Sequence, residues 1–297
     1  MKIHNSPDTE FRKNKLAELT ERYPFLEATA IGKSMLGRDI DCFRLGEGKR
    51  SILTVGAHHG MEHITALALY NFVDFLAKKN ELGASYCGVN IPYLLSKCSF
   101  FTVPCVNPDG VELQLHGATE GPMYSREIRM NGDSRDFTHW QANARGVDLN
   151  HNYAYGFAEY KRIETAEGIL PGKTRFSGEH PESEPETAAL AGLVRALAPA
   201  AVVSLHTQGE EIYSMPKTER VEKIAKRLAL GLGYKSSVAR GHAAYGGLSD
   251  FTGAVLGIPS FTVELGRGEN PLPEKQLPAI SERVRKLLIS LPTYLNY

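Results

Sequence analysis

Residues 51–62 read SILTVGAHHGME, an apolar run that opens directly into His58-His59-Gly60-Met61-Glu62. A short apolar run without a polar break is the pattern of a strand buried on both faces, as strands are in a mostly parallel sheet. Two later runs have the same form. Residues 200–205 (AAVVSL) lead into His206, and residues 258–263 (IPSFTV) lead into Glu264. In α/β proteins, ligands gather at the carboxyl ends of such strands, so three polar strand ends can meet at one place.

Two histidines and a carboxylate are a ligand set for catalytic zinc, with a fourth position left to water, and a further glutamate beside them can act as general base. The first stretch admits two ligand sets. His59-Gly60-Met61-Glu62-His63 fits the inverted H-x-x-E-H signature, with both histidines on the metal and Glu62 as base. Alternatively His59 and Glu62, three residues apart on one helical turn, are ligands together with His206. Gly60 favours the second set, because glycine suits a strand-to-helix turn better than a helix interior, where it costs about 1 kcal/mol relative to alanine. That leaves Glu264 as the base.

Outward from these ends, residues 11–22 have helical apolar spacing and stop before Pro24, which predicts an N-terminal helix within residues 1–24 and a core over 25–297. Residues 28–31 and 40–45 read as strands, and 64–77 (ITALALYNFVDFLA) as a strongly apolar helix. Residues 100–106 read as a strand ending in the turn Asn107-Pro108-Asp109-Gly110. From 111 to about 181 the pattern loses its period, as long functional loops do. Helices are expected at 184–197, 221–232 and 276–291. Strands alternating with helices predict one α/β domain, a mixed parallel and antiparallel twisted sheet with helices on both faces.

Composition narrows the partners. The 297-residue chain balances 34 Lys+Arg against 34 Asp+Glu, with 42% hydrophobic and 23% charged residues. Such a balance gives no reason to expect nucleic acid or an anionic membrane as partner, and it leaves the oligomeric state open. No run approaches the roughly 18 apolar residues of a membrane span, and the polar start, Met1 to Glu10, lacks the core of a secretory leader, so a cytoplasmic location is expected. Cys42, Cys87, Cys98 and Cys105 lie in or beside strand-like runs without C-x-x-C spacing, so buried free thiols are expected.

The ordered set of strings is the most specific feature. It runs Ile31-Gly32-Lys33-Ser34 with Gly37-Arg38, Gly56 to His63, Val106 to Gly110, Gly146-Val147-Asp148-Leu149-Asn150, Ser183-Glu184-Pro185-Glu186, then the His206 and Glu264 segments. Over roughly residues 25 to 270 the chain resembles the zinc carboxypeptidase (carboxypeptidase A-like) metallopeptidases. The strings at Trp140–Asn143, 206–213 and 264–273 are similar to the branch that cuts the γ-D-glutamyl–meso-diaminopimelate bond of bacterial cell-wall peptides. The resemblance implies the carboxypeptidase fold and one zinc per chain held by His59, Glu62 and His206. It also implies hydrolysis of a small muropeptide-derived substrate by zinc-activated water with Glu264 as base. The alternatives are a zinc carboxypeptidase of broader specificity, or a zinc deacylase on the same scaffold acting on small N-acyl amino acids, which usually carries a sparser form of these motifs and different residues after the Asp-Leu-Asn turn.

The resemblance also assigns substrate contacts, with departures. Asn150 and the next residue correspond to the pair that grips the substrate carboxylate, but His151 stands where the family has arginine, an imidazole in place of a bidentate guanidinium. Gln141 occupies the place of the family's carbonyl-polarising arginine, which makes Arg145 the nearest candidate for that role. Tyr245 is the candidate for the mobile tyrosine that closes over substrate. Asp250 matches an acidic residue of the specificity pocket, suited to the diaminopimelate ammonium.

Overall fold

Asp8 caps the first helix, α1 (Thr9–Arg22), by accepting the Phe11 N–H at 2.9 Å. Leu19 and Tyr23 carry its apolar side into the main core. In this computed structural model, which describes residues 6–295, three strands follow: β1 (Glu27–Lys33), β2 (Asp39–Leu45) and β3 (Arg50–Val55). Residues 1–5 of the polar N-terminal segment lie outside the described residues. Next come α2 (Ile64–Glu81), a small hairpin of β4 (Ser85–Tyr86) and β5 (Val89–Asn90), α3 (Ile91–Lys97) and β6 (Cys98–Val103). Helices α4 (Pro108–His116), α5 (Tyr124–Met130), α6 (Phe157–Ala166) and α7 (Pro185–Leu197) lead to β7 (Ala201–His206) and β8 (Glu211–Met215). The chain continues through α8 (Glu219–Leu232), β9 (Lys235–Ser236), α9 (Leu248–Asp250), β10 (Ser260–Glu264) and α10 (Leu277–Tyr294).

The strands form one sheet in the order β1-β2-β6-β3-β7-β10-β8-β9. β6, β3, β7 and β10 are parallel neighbours, while β2 and β8 run antiparallel to them. Alternation along the central strands fills two layers. Ile52, Val203, Phe261 and Val263 pack with α2, α8 and α10, whereas Leu53, Val55 and Val202 pack with α7 and Phe251. The expected α/β domain with helices on both faces is therefore present. No helix among the described residues is long and apolar enough to cross a membrane.

Several boundaries differ from expectation. β6 ends at Val103, and Asn107-Pro108-Asp109-Gly110 starts α4 rather than closing a turn. Asparagine before proline is also an N-cap followed by a first-turn proline, and here Asn107 Oδ1 accepts the Gly110 N–H at 2.9 Å. The aperiodic stretch after residue 111 holds α5 and α6. β8 went unread because its burial alternates instead of forming an apolar run. Cys42, Cys98 and Cys105 are buried free thiols as expected, but Cys87 is exposed at the small hairpin.

Asn107 ties the site-bearing segments together. Its Nδ2, fully buried, donates to the carbonyls of His58 (2.9 Å), Gln141 (3.1 Å) and Ala142 (3.2 Å). A second buried set locks the other motif strings. Asp109 accepts from Ser34 Oγ (2.8 Å), the Leu36 N–H (2.8 Å) and Arg38 (2.7 Å), while Glu186 accepts the Met35 N–H at 3.0 Å.

Two stability predictions follow from these groups. Asn107→Ala removes the cap and the donor to three carbonyls, so the unfolding free energy in urea should fall by about 3 kcal/mol. An exposed change such as Leu230→Ser should stay within about 0.5 kcal/mol. Burial pushes the Glu186 carboxyl up to about 7 from its ordinary 4.5, against the Met35 N–H that pulls it down. The folded state then holds that proton more tightly than the unfolded chain does. Its contribution is full below about pH 4.5, is lost as pH rises toward 7, and is flat above. Glu186→Gln should remove this slope in thermal melts across that window, and an unchanged slope would refute the assignment.

Candidate active site

β3, β7 and β10 are consecutive parallel strands at the centre of the sheet, and all three polar strand ends fall on one edge. Val55 pairs with Ser204, and Glu264 pairs with His206, so the register sets Glu264 directly beside His206. After β3 the chain turns through Ala57 and a single 3-10 turn, Gly60–Glu62. Gly60 is required there, since a Cβ would lie 2.3 Å from the Gly110 carbonyl oxygen.

This turn brings His59 and Glu62 to His206, with ligand atoms of the three residues all within 4.8 Å of one another. The two carboxylate oxygens of Glu62 lie 2.9 Å from His59 Nδ1 and 3.0 Å from His206 Nδ1. Each ring engages the protein through its other nitrogen: His59 Nε2 donates to Asp148 Oδ1 at 3.2 Å, and His206 Nε2 lies 3.0 Å from Ser204 Oγ. A histidine held in this way through Nε2 presents the Nδ1 lone pair to a metal.

The electrostatics fit a bound cation. Burial alone would raise the Glu62 and Asp148 carboxyls and lower His59. The neighbouring charges reverse all three, taking Glu62 down to about 2, Asp148 below the usual carboxylate range, and His59 well above its ordinary 6.5. Two buried carboxylates around one imidazole call for positive charge, and a dication with three protein ligands satisfies them. His63 lies outside this cluster, at the start of α2, with its buried Nδ1 lacking a hydrogen-bond partner among the described residues. Of the two sets left open by the sequence, the structure assembles His59, Glu62 and His206.

Two cavities meet at the cluster. One, of about 380 Å³, is lined by His59, His206 and Glu264 at one end and by Lys217, Ser249 and Asp250 elsewhere. The other, of about 490 Å³, is lined by Glu62, Glu264, His139, Gln208, Glu269 and Asn270. Glu264, Gln141 and Tyr213 face both. Burial, and then the Glu62 charge, push the Glu264 carboxyl well above the ordinary carboxylate range.

The residues expected to touch substrate divide into two groups. Asn150, His151, Gln141 and Asp250 line the first cavity. Asn150 Oδ1 accepts the Leu248 N–H at 3.1 Å, leaving its amide N–H₂ for a ligand, and Gln141 Oε1 is likewise taken by Thr174 Oγ1. His151 is not an anion clamp. Its Nδ1 donates to the Tyr245 carbonyl at 2.9 Å, its ring stacks on Tyr160, and burial lowers its pKa, so the neutral ring offers an acceptor at Nε2.

Arg145 and Tyr245 lie outside both cavities. Arg145 does not line either cavity; its guanidinium lies 3.6 Å from buried Glu184, whose charge needs a partner. Arg175 lines the first cavity, with its guanidinium paired to Glu167 at 3.0 Å. Tyr245 packs its ring on Gly156 and spends its carbonyl on His151, and the tyrosine facing both cavities is Tyr213 on β8. Asp148 was legible only as part of a motif string. It joins the cluster to the cavity by accepting from His59, the Asn150 N–H (3.2 Å) and the Arg175 N–H (3.1 Å). A histidine ligand needs an acceptor on its far nitrogen, and that requirement was the available signal for Asp148. Arg175 and Lys217 carried none, and Tyr213 stood only as the last residue of the 206–213 string.

Comparison with known proteins agrees with this geometry. A family model of zinc carboxypeptidases matches residues 13–286. Gamma-D-glutamyl-L-diamino acid endopeptidase 1 of Lysinibacillus sphaericus is 31% identical over 293 residues, 95% of this chain and 71% of that protein. Murein peptide amidase A of Escherichia coli (strain K12) is 35% identical over 109 residues, 35% of this chain and 34% of that protein. Among solved structures, bovine thrombin-activatable fibrinolysis inhibitor in complex with tick carboxypeptidase inhibitor shares the fold at 20% identity, with a TM-score of 0.73 over 97% of both chains. Murein-tripeptide amidase from Escherichia coli O157 superposes with a TM-score of 0.56 at 22% identity, over 91% of this chain and 92% of that one. With its sheet, its His–Glu–His cluster and a family match over nearly its whole length, the chain belongs to the zinc carboxypeptidase family and is a zinc metallopeptidase.

Proposed function

We propose that this peptidase hydrolyses the amide bond between γ-D-glutamate and a diamino acid, most specifically meso-diaminopimelate, in small cell-wall peptides. One observation carries the reading. The cavity beside Glu264 is lined by Lys217, Asp250 and Arg175, the last also paired with Glu167, a mixed-sign lining suited to a leaving residue with carboxylates and an ammonium. The 31% identity to a γ-D-glutamyl-L-diamino acid endopeptidase supports it.

In this reading His59, Glu62 and His206 hold zinc, which when bound supplies Lewis-acid activation of water and of the scissile carbonyl. Glu264 takes the proton of the attacking water and returns it to the leaving nitrogen. The N–H₂ of Gln141 donates to the carbonyl oxygen in the place of the arginine that the family resemblance led us to expect. Arg175 and the Asn150 amide bind the α-carboxylate of the leaving residue, and Asp250 binds its ammonium. Asp148 orients His59 and, through two backbone N–H groups, sets Asn150 and Arg175 against the same cluster. The second cavity takes the acyl side of the bond.

About one zinc per chain should be found by metal analysis of the purified protein. His59→Ala and His206→Ala should each abolish it, and His63→Ala should retain it; loss of zinc from the His63 variant would restore the inverted motif.

The zinc-loaded protein should release diaminopimelate from L-Ala-γ-D-Glu-meso-diaminopimelate and leave a hippuryl amino acid nearly untouched. Glu264→Gln should keep zinc and peptide affinity while kcat drops by about 10²–10⁴-fold. Preference for the hippuryl compound would overturn the cell-wall reading, and a Glu264→Gln variant with more than about a tenth of normal turnover would overturn the base assignment.

A further inference from the structure

Lys217 follows the end of β8, and Asp250 ends α9. The two are brought together by a close backbone approach. Phe251–Val255, which continues α9, packs on Met215 so tightly that a Cβ on Gly253 would lie 2.5 Å from the Met215 Cβ and 2.6 Å from its carbonyl carbon. Both side chains line the first cavity, yet no ion pair joins them to each other or to another charge among the described residues. The Lys217 ammonium donates to the Ser214 carbonyl at 2.7 Å, which holds it in place without neutralising it. Burial lifts the Asp250 carboxyl to about 6, with a Gly247 N–H and the Lys217 charge pulling it down, so this group gains from a cation brought by a ligand.

The register places the pair away from the hydrolytic end. Glu264 lies opposite Glu211, whereas Met215 lies opposite Ser260, and Thr262 Oγ1 donates to Ser249 Oγ at 2.9 Å, one residue before Asp250. At about 3.3 Å per residue, the cavity runs along β10 for roughly 7–13 Å from Glu264 to the level of Ser249 and Met215. A cation and a carboxylate that line one cavity without an ion pair match the two charges of an amino-acid zwitterion read in the opposite sense. Meso-diaminopimelate has one such centre at each end. When the amine of one centre is acylated, the other still carries an ammonium and a carboxylate on one carbon.

We propose that Lys217 and Asp250 form a subsite for the distal amino-acid zwitterion of the leaving residue, and so select a diamino dicarboxylic acid over lysine. This deepens the function proposed above and rests on it. Lysine presents the ammonium to Asp250 but no carboxylate to Lys217, and a half-buried charged group left without its partner discriminates strongly. The subsite also accounts for the absence of a bidentate arginine at His151, since carboxylate recognition is shared between Arg175 and Lys217.

The test uses zinc-loaded Glu264→Gln protein and isothermal titration with free meso-diaminopimelate and free L-lysine, so that binding is read without turnover. Meso-diaminopimelate should bind about 10²-fold or more tightly than L-lysine. Adding Lys217→Met should erase that ratio, Lys217→Arg should retain most of it, and Asp250→Asn should weaken both ligands. Equal affinities in the parent protein, or an unchanged ratio in the Lys217→Met protein, would overturn the subsite. A preserved ratio in the parent protein, combined with no cleavage of the tripeptide by the wild-type enzyme, would leave the subsite standing and defeat the proposed reaction instead.

Discussion

The Glu62 carboxylate, 3% exposed, is the constraint around which the centre of this molecule is arranged. A buried anion is costly unless it is paired and hydrogen-bonded. Its partners come from His59 on its own turn, His206 at the end of β7, the Thr207 N–H at 3.3 Å and Asn270 Nδ2 at 3.4 Å. These segments are distant in sequence, and the parallel register of β3, β7 and β10 brings them within reach. The same register sets Glu264 beside His206, where burial and the Glu62 charge push its carboxyl above the ordinary range. One electrostatic requirement thus positions both the metal-site residues and the Glu264 carboxylate.

The surrounding structure supplies rigidity more than chemistry. Asn107 bonds three carbonyls from two segments, and Asp109 gathers Ser34, Leu36 and Arg38. Arg145, with its guanidinium beside buried Glu184, belongs to this scaffold. Asp148 is the link between scaffold and site. A preorganised site needs such supports, because a ligand misplaced by an ångström loses much of its effect. The two cavities then meet at Glu264 and open on both sides of it.

The strings that carried the family resemblance were of two physical kinds, and the sequence did not distinguish them. Asn107-Pro108-Asp109-Gly110 and Ser183-Glu184-Pro185-Glu186 are helix starts and buried pairing partners, whereas the His59, His206 and Glu264 segments are chemistry. Asparagine, aspartate and glutamate serve equally as caps, as answers to buried charge and as ligands, and only their neighbours in space decide between these uses. Arg145 and Tyr245 illustrate this. Each stood at a plausible distance along the chain from a known string, yet Arg145 turns to Glu184 and Tyr245 to Gly156, while Arg175 lines the cavity from a segment with no motif at all.

By itself the sequence determined what short-range pattern can encode. The apolar runs ending in His58-His59, His206 and Glu264 specified buried parallel strands with polar carboxyl ends, and helical spacing specified α1, α2, α7, α8 and α10. Those patterns depend only on residues within one element, where burial and periodicity are linked directly. Tertiary structure decided which of two histidine sets surrounds Glu62, which nitrogen of each ring is free, and that His151 presents an acceptor rather than a cation. It also decided that Lys217 and Asp250 share a cavity wall, through the packing of Gly253 on Met215. These outcomes depend on contacts between residues far apart along the chain, whose energies arise only once the sheet has set the strands side by side.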